Sequence, residues 1–171
     1  VVVEDAGVTI SDGDATALDA TALSAIGNKT TGTVTVTNAV VISGTEAEVT
    51  AALVTDGSKV EVSDAKVTIS GNPSITALNN IADETTGVVT ATLAADSLSN
   101  LGSLSTASTD VITVTVNDAD EAALTAANLS TLGGKTAGTV TVTNAVAISG
   151  TAAQVTAALV TADTKVSVSD A

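Results

Sequence analysis

The 171-residue chain contains no phenylalanine, tyrosine, tryptophan, methionine, cysteine or histidine. Aromatic side chains fill irregular space in ordinary cores, so this interior has to be built from Val, Ile, Leu and Ala. Such a core suits a narrow, regular interior. The missing cysteine excludes disulfides, and the missing histidine leaves carboxylates, lysine and hydroxyls as the remaining candidates for acid–base or nucleophilic chemistry. We therefore expect no enzymatic activity and no organic cofactor.

Positive charge is also scarce, because 5 basic residues stand against 19 acidic ones and the net charge is −14. A surface of this sign repels nucleic acids and anionic membranes and attracts cations. The apolar runs span a handful of residues, far fewer than the roughly 20 that a membrane-crossing helix needs. We expect no nucleic-acid partner and no membrane insertion.

The sequence is internally duplicated. GTVTVTNAV occurs at Gly32–Val40 and again at Gly138–Val146, and 27 of the 34 positions that start there are identical. The duplication extends backward, so that 12–65 resembles 118–171. Residues 1–171 are therefore predicted to form a single repeat domain.

A shorter repeat lies within the duplication, in which a strand-like segment of alternating valines is followed by a corner residue and then alanine. The corner residues are Asp5, Asn38, Asp64, Leu93, Asp118, Asn144 and Asp170. A repeat of about 26 residues is typical of solenoids, whose units pack only on their neighbours. About six strand–corner–helix units are predicted.

The unit that starts at Gly32 shows the pattern most clearly. Thr33–Thr37 alternates polar and apolar residues, as a half-buried strand does, and Val40–Ser43 predicts a second short strand. Thr45 and Glu48 form a capping-box signature for a helix. In other units we expect helices to begin at Pro73, after Asp96 and after Asp120.

These elements predict an α/β solenoid of right-handed, leucine-rich-repeat-like coils of about 26 residues each. One parallel sheet lies on one side, with room for a second short strand in each coil, and short helices lie on the opposite side. Leu18 and Leu124 are expected on the helices. One column of the sheet should contain Val34, Val60, Val89, Val114, Val140 and Val166.

Four aspartates are candidate metal ligands: Asp12, Asp14, Asp118 and Asp120. They cluster hard oxygen atoms of the kind that Ca²⁺ prefers. They also precede predicted helices, where aspartate is a common N-cap. The sequence leaves both interpretations open, with caps as the simpler one and calcium as the only cofactor to consider.

The segments GNKT at 27–30 and GGKT at 133–136 resemble the end of a phosphate-binding loop. That loop needs a glycine separated by four residues from its Gly-Lys pair, and Leu129 stands there in the second copy. The simpler interpretation is a helix C-terminus followed by a basic residue.

The segment LSTLGGKTAGTVTVTNAVAISGTAAQVTAALVTADTKVSVSDA at 129–171 resembles the Ala/Thr/Val-rich repeats of giant cell-surface or secreted proteins of marine cyanobacteria and of related phage structural proteins. The resemblance covers nearly the whole chain. It implies an extracellular, structural and often calcium-associated role. The nonapeptide calcium repeats found in parts of such proteins are missing here.

The hypothesis that follows is a structural repeat segment of an extracellular filament, surface layer or adhesin. Its partners would be copies of itself or neighbouring repeats, joined end to end or within a longer array, because Val1–Ala6 and Val166–Ala171 show the same strand-and-corner element. An ice-binding or calcium-dependent binding solenoid is the alternative. It would use outward threonine rows such as Thr33, Thr35 and Thr37, which Glu61 interrupts on the next strand.

Overall fold

The structure is a computed structural model that describes residues 4–161 and 165–169. Short helices alternate with short strands, and the described strand pairs are parallel. The chain divides into two compact units, Val1–Ala91 and Thr92–Ala171. The prediction of a single domain stays a prediction. Val1–Val3, Asp170 and Ala171, which we assigned to terminal strand-and-corner elements, lie outside the described residues.

The first unit contains three strand–strand–helix repeats followed by one more strand. Its strands are β1 (Val8–Ile10), β2 (Ala17–Asp19), β3 (Val34–Val36), β4 (Val41–Thr45), β5 (Val60–Val62), β6 (Lys66–Ser70) and β7 (Val89–Thr92), which ends at the unit boundary. Its helices are α1 (Ala20–Gly27), α2 (Glu46–Val49), which continues as a π-helical turn over Thr50–Val54, and α3 (Ile75–Asp83).

The second unit begins with a short helix and continues with two strand–strand–helix repeats and a further strand. Its helices are α4 (Leu98–Leu101), α5 (Ala126–Gly133) and α6 (Ala152–Leu159). Its strands are β8 (Val111–Val116), β9 (Ala123–Thr125), β10 (Val140–Val142), β11 (Ala147–Ser149) and β12 (Val166–Val168).

The two strands of each repeat belong to different sheets. In the first unit β1, β3 and β5 pair in one sheet, and β2, β4, β6 and β7 pair in that order in another. In the second unit β8, β10 and β12 pair in that order, and β9 pairs with β11. The second short strand is therefore confirmed. The expectation of one sheet is wrong, because the corner between the two strands of a repeat sends them into separate ladders.

The predicted valine column is confirmed for Val34 with Val60 and for Val114 with Val140 and Val166, and it is wrong at Val89. Val34 pairs with Val60, and Val114, Val140 and Val166 pair in sequence. Val89 pairs with Val67 on β6 instead of Val60 on β5. All six valines of the predicted column are buried. Val89 pairs with β6 because Gly87 lies against the carbonyl of Ala65, immediately before β6.

The strands alternate between core and surface as the sequence predicts. In β3, Val34 and Val36 are 0% and 2% exposed, whereas Thr35 between them is exposed. Parallel pairing in register repeats this alternation from one strand to the next. Valine therefore meets valine in pairs such as Val34 with Val60, and Leu18 meets Ile42 in the other ladder, so aliphatic side chains suffice for the core.

The capping box at Thr45 is confirmed. The amide of Thr45 donates to a carboxylate oxygen of Glu48 at 2.7 Å, and the amide of Glu48 donates to the hydroxyl of Thr45 at 3.4 Å. The Thr45 amide, followed by its hydroxyl, lowers the pKa of Glu48. In the duplicate, Gln154 makes the same box with Thr151 before α6, so the box does not require a charge.

The other helix starts differ from the prediction. α3 begins at Ile75, capped by Ser74, and not at Pro73. The carboxylate of Glu46 accepts from the Ser74 amide at 2.8 Å and from its hydroxyl at 3.2 Å. This bond from the preceding repeat fixes Ser74 as the cap. α4 begins at Leu98 after Ser97, one residue past Asp96, close to the expected start.

The two duplicated helices begin later than expected. α1 is capped by Asp19 and α5 by Thr125, not by the earlier aspartates. Leu18 and Leu124, expected on helices, lie on strands β2 and β9. Pairing with the equivalent strand of the next repeat satisfies the backbone there, so the tertiary contact overrides the local helix preference.

The burial pattern predicts a sharp contrast between neighbouring substitutions in β3. Val34→Asn places an amide without a partner in the core and removes apolar burial, and we expect it to lower the free energy of unfolding by about 3 kcal/mol or more. Thr35→Asn, one residue along on the exposed side, should cost under about 1 kcal/mol. Urea unfolding followed by circular dichroism measures both, and equal losses would show that the register of β3 is wrong.

Candidate functional site

The aspartates at 12 and 14 lie in a turn that contacts the Asn-Ala corner of the next repeat. The side-chain amide of Asn38 donates to the carbonyl of Asp12 at 2.6 Å. The amide of Ala39 donates to a carboxylate oxygen of Asp14 at 3.2 Å, and the amide of Ala15 donates to the carbonyl of Ala39 at 2.9 Å. We call this set of three bonds the corner clasp.

The corner clasp recurs at the duplicated positions of the second unit. Asn144 donates to the carbonyl of Asp118 at 2.6 Å, the amide of Ala145 to a carboxylate oxygen of Asp120 at 3.3 Å, and the amide of Glu121 to the carbonyl of Ala145 at 2.7 Å. The turn residue after the second aspartate has a positive φ in both copies, 61° at Ala15 and 65° at Glu121. A non-glycine residue with a positive φ is rare, so its recurrence at the duplicated position shows that both copies form the same turn.

The four predicted metal-ligand candidates are therefore positioned by contacts between repeats. The carboxylates of Asp14 and Asp120 accept backbone amides, and Asp12 and Asp118 accept through their carbonyls. Asp118 also caps a helix, but not the expected one, because its carboxylate accepts from the amide of Leu98 at the start of α4 at 2.7 Å. Across 4–161 and 165–169, no three acidic side chains converge in a group that could hold a metal ion.

The predicted series of corner residues is wrong at its first member and again at Leu93, which follows β7 and therefore a strand paired with β6 instead of β5. Asn38 contacts Asp12 in the preceding repeat, and not Asp5, which lies further back in the chain. Asp5 instead pairs with Thr31, whose hydroxyl donates to its carboxylate at 2.5 Å. The interval from Asp5 to Asn38 is longer than any other between successive corner residues, and this irregularity was a usable signal.

A second contact between repeats was missed in the sequence: the triplet Thr-x-Gly. We use the word triplet for the three copies in which a valine stands two residues after the glycine, at 30–32, 85–87 and 136–138; Thr-x-Gly at 55–57 and 131–133 lacks that valine. In the first copy the Thr30 hydroxyl donates to the carbonyl of Ala6 at 2.5 Å and accepts from the amide of Gly32 at 3.0 Å. One threonine thus satisfies a carbonyl of the previous repeat and an amide of its own turn.

The other two triplets repeat this geometry. Thr85 donates to the carbonyl of Ala65 at 2.6 Å and accepts from Gly87 at 3.0 Å. Thr136, only 2% exposed, lies 2.8 Å from both the carbonyl of Ile112 and the amide of Gly138. Buried hydroxyls of this kind are favourable only when their partners are present.

The glycine of each triplet lies directly on the carbonyl that the threonine contacts. A Cβ atom added to Gly32, Gly87 or Gly138 would approach the carbonyl oxygen of Ala6, Ala65 or Ile112, respectively, closer than the 3.0 Å that real Cβ atoms respect. Glycine is therefore required by the close approach of two backbones.

The triplet sets the register of the strand that follows it. The residue two positions after each glycine pairs with the residue two positions after the contacted carbonyl. The pairs are Val34 with Val8, Val89 with Val67, and Val140 with Val114. Gly87 lies on Ala65, immediately before β6, so β7 is placed beside β6. This contact explains why Val89 leaves the predicted column.

The GGKT segment has a structural use in the second unit. The ammonium group of Lys135 donates to the carbonyl of Gly102 at 3.0 Å and to the carbonyl of Leu104 by a short bond. Thr136 is the triplet threonine described above. Both side chains that a phosphate loop would use are therefore engaged by carbonyls, and the simpler interpretation of the motif is favoured.

Each unit carries a groove on its surface. One, of about 300 Å³, lies between α4 and α5 and is lined by Leu98, Gly102, Leu132 and Lys135, among others. The other, of about 350 Å³, lies on the first repeat, and its apolar lining includes Ile10, Leu18 and Ile26. The triads and metal clusters that support catalysis are not assembled in either lining.

No family model matches this sequence, and comparisons with curated proteins and with solved structures found no significant match. Within the described parts of the chain, none of the helices is long and apolar enough to cross a bilayer.

The close backbone approach at the triplet glycine predicts that a single added methyl group there destabilises the protein. Gly138→Ala should lower the free energy of unfolding by roughly 1–3 kcal/mol, because the new Cβ forces the carbonyl of Ile112 away from the ladder. Gly57→Ala is the matched control, since nothing lies within 4 Å of a Cβ there, and it should be neutral or slightly stabilising. Thermal and urea unfolding measure both. If the two alanine variants had equal free energies of unfolding, the triplet would not set the register of the strand.

Proposed function

We propose that this chain is a structural repeat segment of an extracellular filament, surface layer or adhesin. In this proposal its repeats form a right-handed solenoid, and its partners are copies of itself or neighbouring repeats of a longer array. The parallel pairing of equivalent strands in successive repeats and the duplicated clasps support this interpretation. The resemblance to long surface-protein repeats supports the extracellular location.

One observation carries the proposal: the polar side chains that could do chemistry are used to hold one repeat to the next. Asp14 and Asp120 accept amides of the following repeat, Asn38 and Asn144 donate to the preceding one, and Thr136 links two strands. A catalytic group has to be poised toward a substrate. We therefore propose no enzymatic activity.

Exposed apolar side chains support self-association. The described residues include three large hydrophobic side chains with high exposure, and two of them are Ile26 on α1, at 37%, and Val160 after α6, at 72%. In the other copy of the duplication the corresponding residues are Leu132, 1% exposed, and the half-buried Val54. The same positions are covered when another repeat packs on them.

Light scattering over a concentration series tests the proposal on the 171-residue chain. We expect the apparent mass to rise with concentration, through contacts that add copies without closing into a ring. Ile26→Lys and Val160→Lys should each weaken the rise, because each places a charge on an apolar contact. Thr35→Lys, on an exposed strand position, is the control. A strictly monomeric species at all concentrations would contradict the self-association.

An ice-binding role is the second candidate, because one row of hydroxyls in the second unit carries no charge. Thr115, Thr141 and Ser167 align across β8, β10 and β12. In the first unit the corresponding row runs from Thr9 through Thr35 to Glu61. The ice-binding face would thus be confined to three strands, which makes it the weaker interpretation.

Thermal hysteresis and a calcium titration separate the alternatives from the structural role. A structural segment should show no hysteresis, and a chelator should change its melting temperature by under about 2 °C, because its clasps need no metal. Hysteresis abolished by Thr141→Lys would establish ice binding. A calcium-dependent rise in melting temperature of about 10 °C or more would establish a calcium role instead.

A further inference from the structure

The exposed face of the first repeat has a covered counterpart inside the same chain. The first-repeat face comprises Ile10, Leu18, Ala22 and Ile26, which line one groove together with the buried Leu23. The duplication aligns Ile10, Leu18 and Ile26 with Val116, Leu124 and Leu132 of the second unit. Those three are 0%, 6% and 1% exposed, whereas Ile10 and Leu18 are half-buried and Ile26 is exposed.

The cover in the second unit is the segment 92–110. Its helix α4 packs against α5 and β8. Leu98, Leu101 and Leu104 of this segment are 5%, 0% and 0% exposed. These three leucines, at positions i, i+3 and i+6, are buried in the unit where the face is covered, and Leu98 lines the same groove as Leu132.

Polar contacts hold the cover at both ends of α4. Asp118 accepts from the amide of Leu98 at 2.7 Å, and Lys135 donates to the carbonyls of Gly102 and Leu104. The backbone of β8 also holds the segment 92–110, because the amide of Asp96 donates to the carbonyl of Thr115 at 3.1 Å. The acceptor and the donor match the partial charges of the two helix ends.

The first repeat retains the groups that make these contacts. Asp12 corresponds to Asp118, and Lys29 corresponds to Lys135. Asp12 and Lys29 are both exposed. The first-repeat face thus combines apolar side chains with one carboxylate and one ammonium group. These two groups stand at the positions that correspond to Asp118 and Lys135, which bind α4 in the second unit.

Building on the proposed function, we propose that the first-repeat face is a docking site for a short leucine-bearing helix with the chemistry of residues 92–110. Its leucines cover Leu18 and Ile26, Asp12 accepts from its first-turn amide, and Lys29 binds its last carbonyls. In an array, a neighbouring repeat of this type supplies the helix. The first-repeat face therefore selects a repeat that carries such a helix. The interface is polar at both ends of the helix and apolar between them.

A synthetic peptide of residues 92–110, TLAADSLSNLGSLSTASTD, tests the site on the full 171-residue chain. We expect saturable NMR shift changes of isotope-labelled protein, with a Kd on the order of 0.1–1 mM because the peptide has to order on binding. The shifts should concentrate at Ile10, Leu18 and Ile26. A peptide carrying Leu98→Ser and Leu101→Ser should not bind.

Three variants of the chain assign the contacts. Ile26→Lys should weaken peptide binding at least tenfold, and Lys29→Met should weaken it about fivefold by removing the donor to the last carbonyls. Thr35→Lys adds the same charge at an exposed strand position and should leave peptide binding unchanged. The changed side chains are exposed, and circular dichroism confirms that each variant is folded before titration.

The outcomes separate this inference from the proposed function. Absence of shifts on the first-repeat face, or shifts that survive Ile26→Lys, overturns the docking site. Self-association that Ile26→Lys abolishes, without peptide binding, supports the array but overturns a short helix as the occupant. Peptide binding by a chain that stays monomeric supports the docking site and counts against the array.

Discussion

The structure depends on the contact between a Thr-x-Gly triplet and a carbonyl of the preceding repeat. The glycine permits two backbones to approach within a distance that any side chain would block, and the threonine satisfies both the carbonyl and the glycine amide. This contact sets the register of β3, β7 and β10, and the register decides which valines meet in the core. A core without aromatic side chains tolerates little misalignment, since Val and Ala fill space only when they meet in register.

The corner clasp is the second element of the same design. It joins the far end of one strand to the next repeat through Asn38 and Asp14 in one copy and through Asn144 and Asp120 in the other. β3 and β10 are thus each held at both ends, by a hydroxyl at one end and by an amide–carboxylate pair at the other. The net charge of −14 does not oppose this packing strongly, because the clasp carboxylates accept amides from neighbouring repeats and the ladder core is apolar.

Sequence reasoning predicted the strand alternation, the second strand and the capping box, because each depends on residues close together in the chain. It failed where a distant repeat decides the local structure. Leu18 and Leu124 fit a helical pattern but lie on strands, since the equivalent strand of the next repeat satisfies their backbone. Val89 fits the period of its column but pairs with Val67, because Gly87 meets Ala65. At the site, the four aspartates were recognised as a group, but their partners were not. The carbonyl that accepts from Asn38 carries no signature in the sequence. The recurrence of Thr-x-Gly before a valine was visible and could have been found by aligning the three copies.

Because β3, β7 and β10 take their alignment from the carbonyl beneath the triplet glycine, the alignment of these strands is set at three separate points of the chain. The contacted carbonyl lies 24 residues before the threonine at Thr30 and Thr136 but 20 residues before it at Thr85. The shorter interval contains β6 and α3, whereas the interval from Ala6 to Thr30 contains β1, β2 and α1. A unit with one strand fewer is therefore joined in register by the same threonine and glycine, without a strict period.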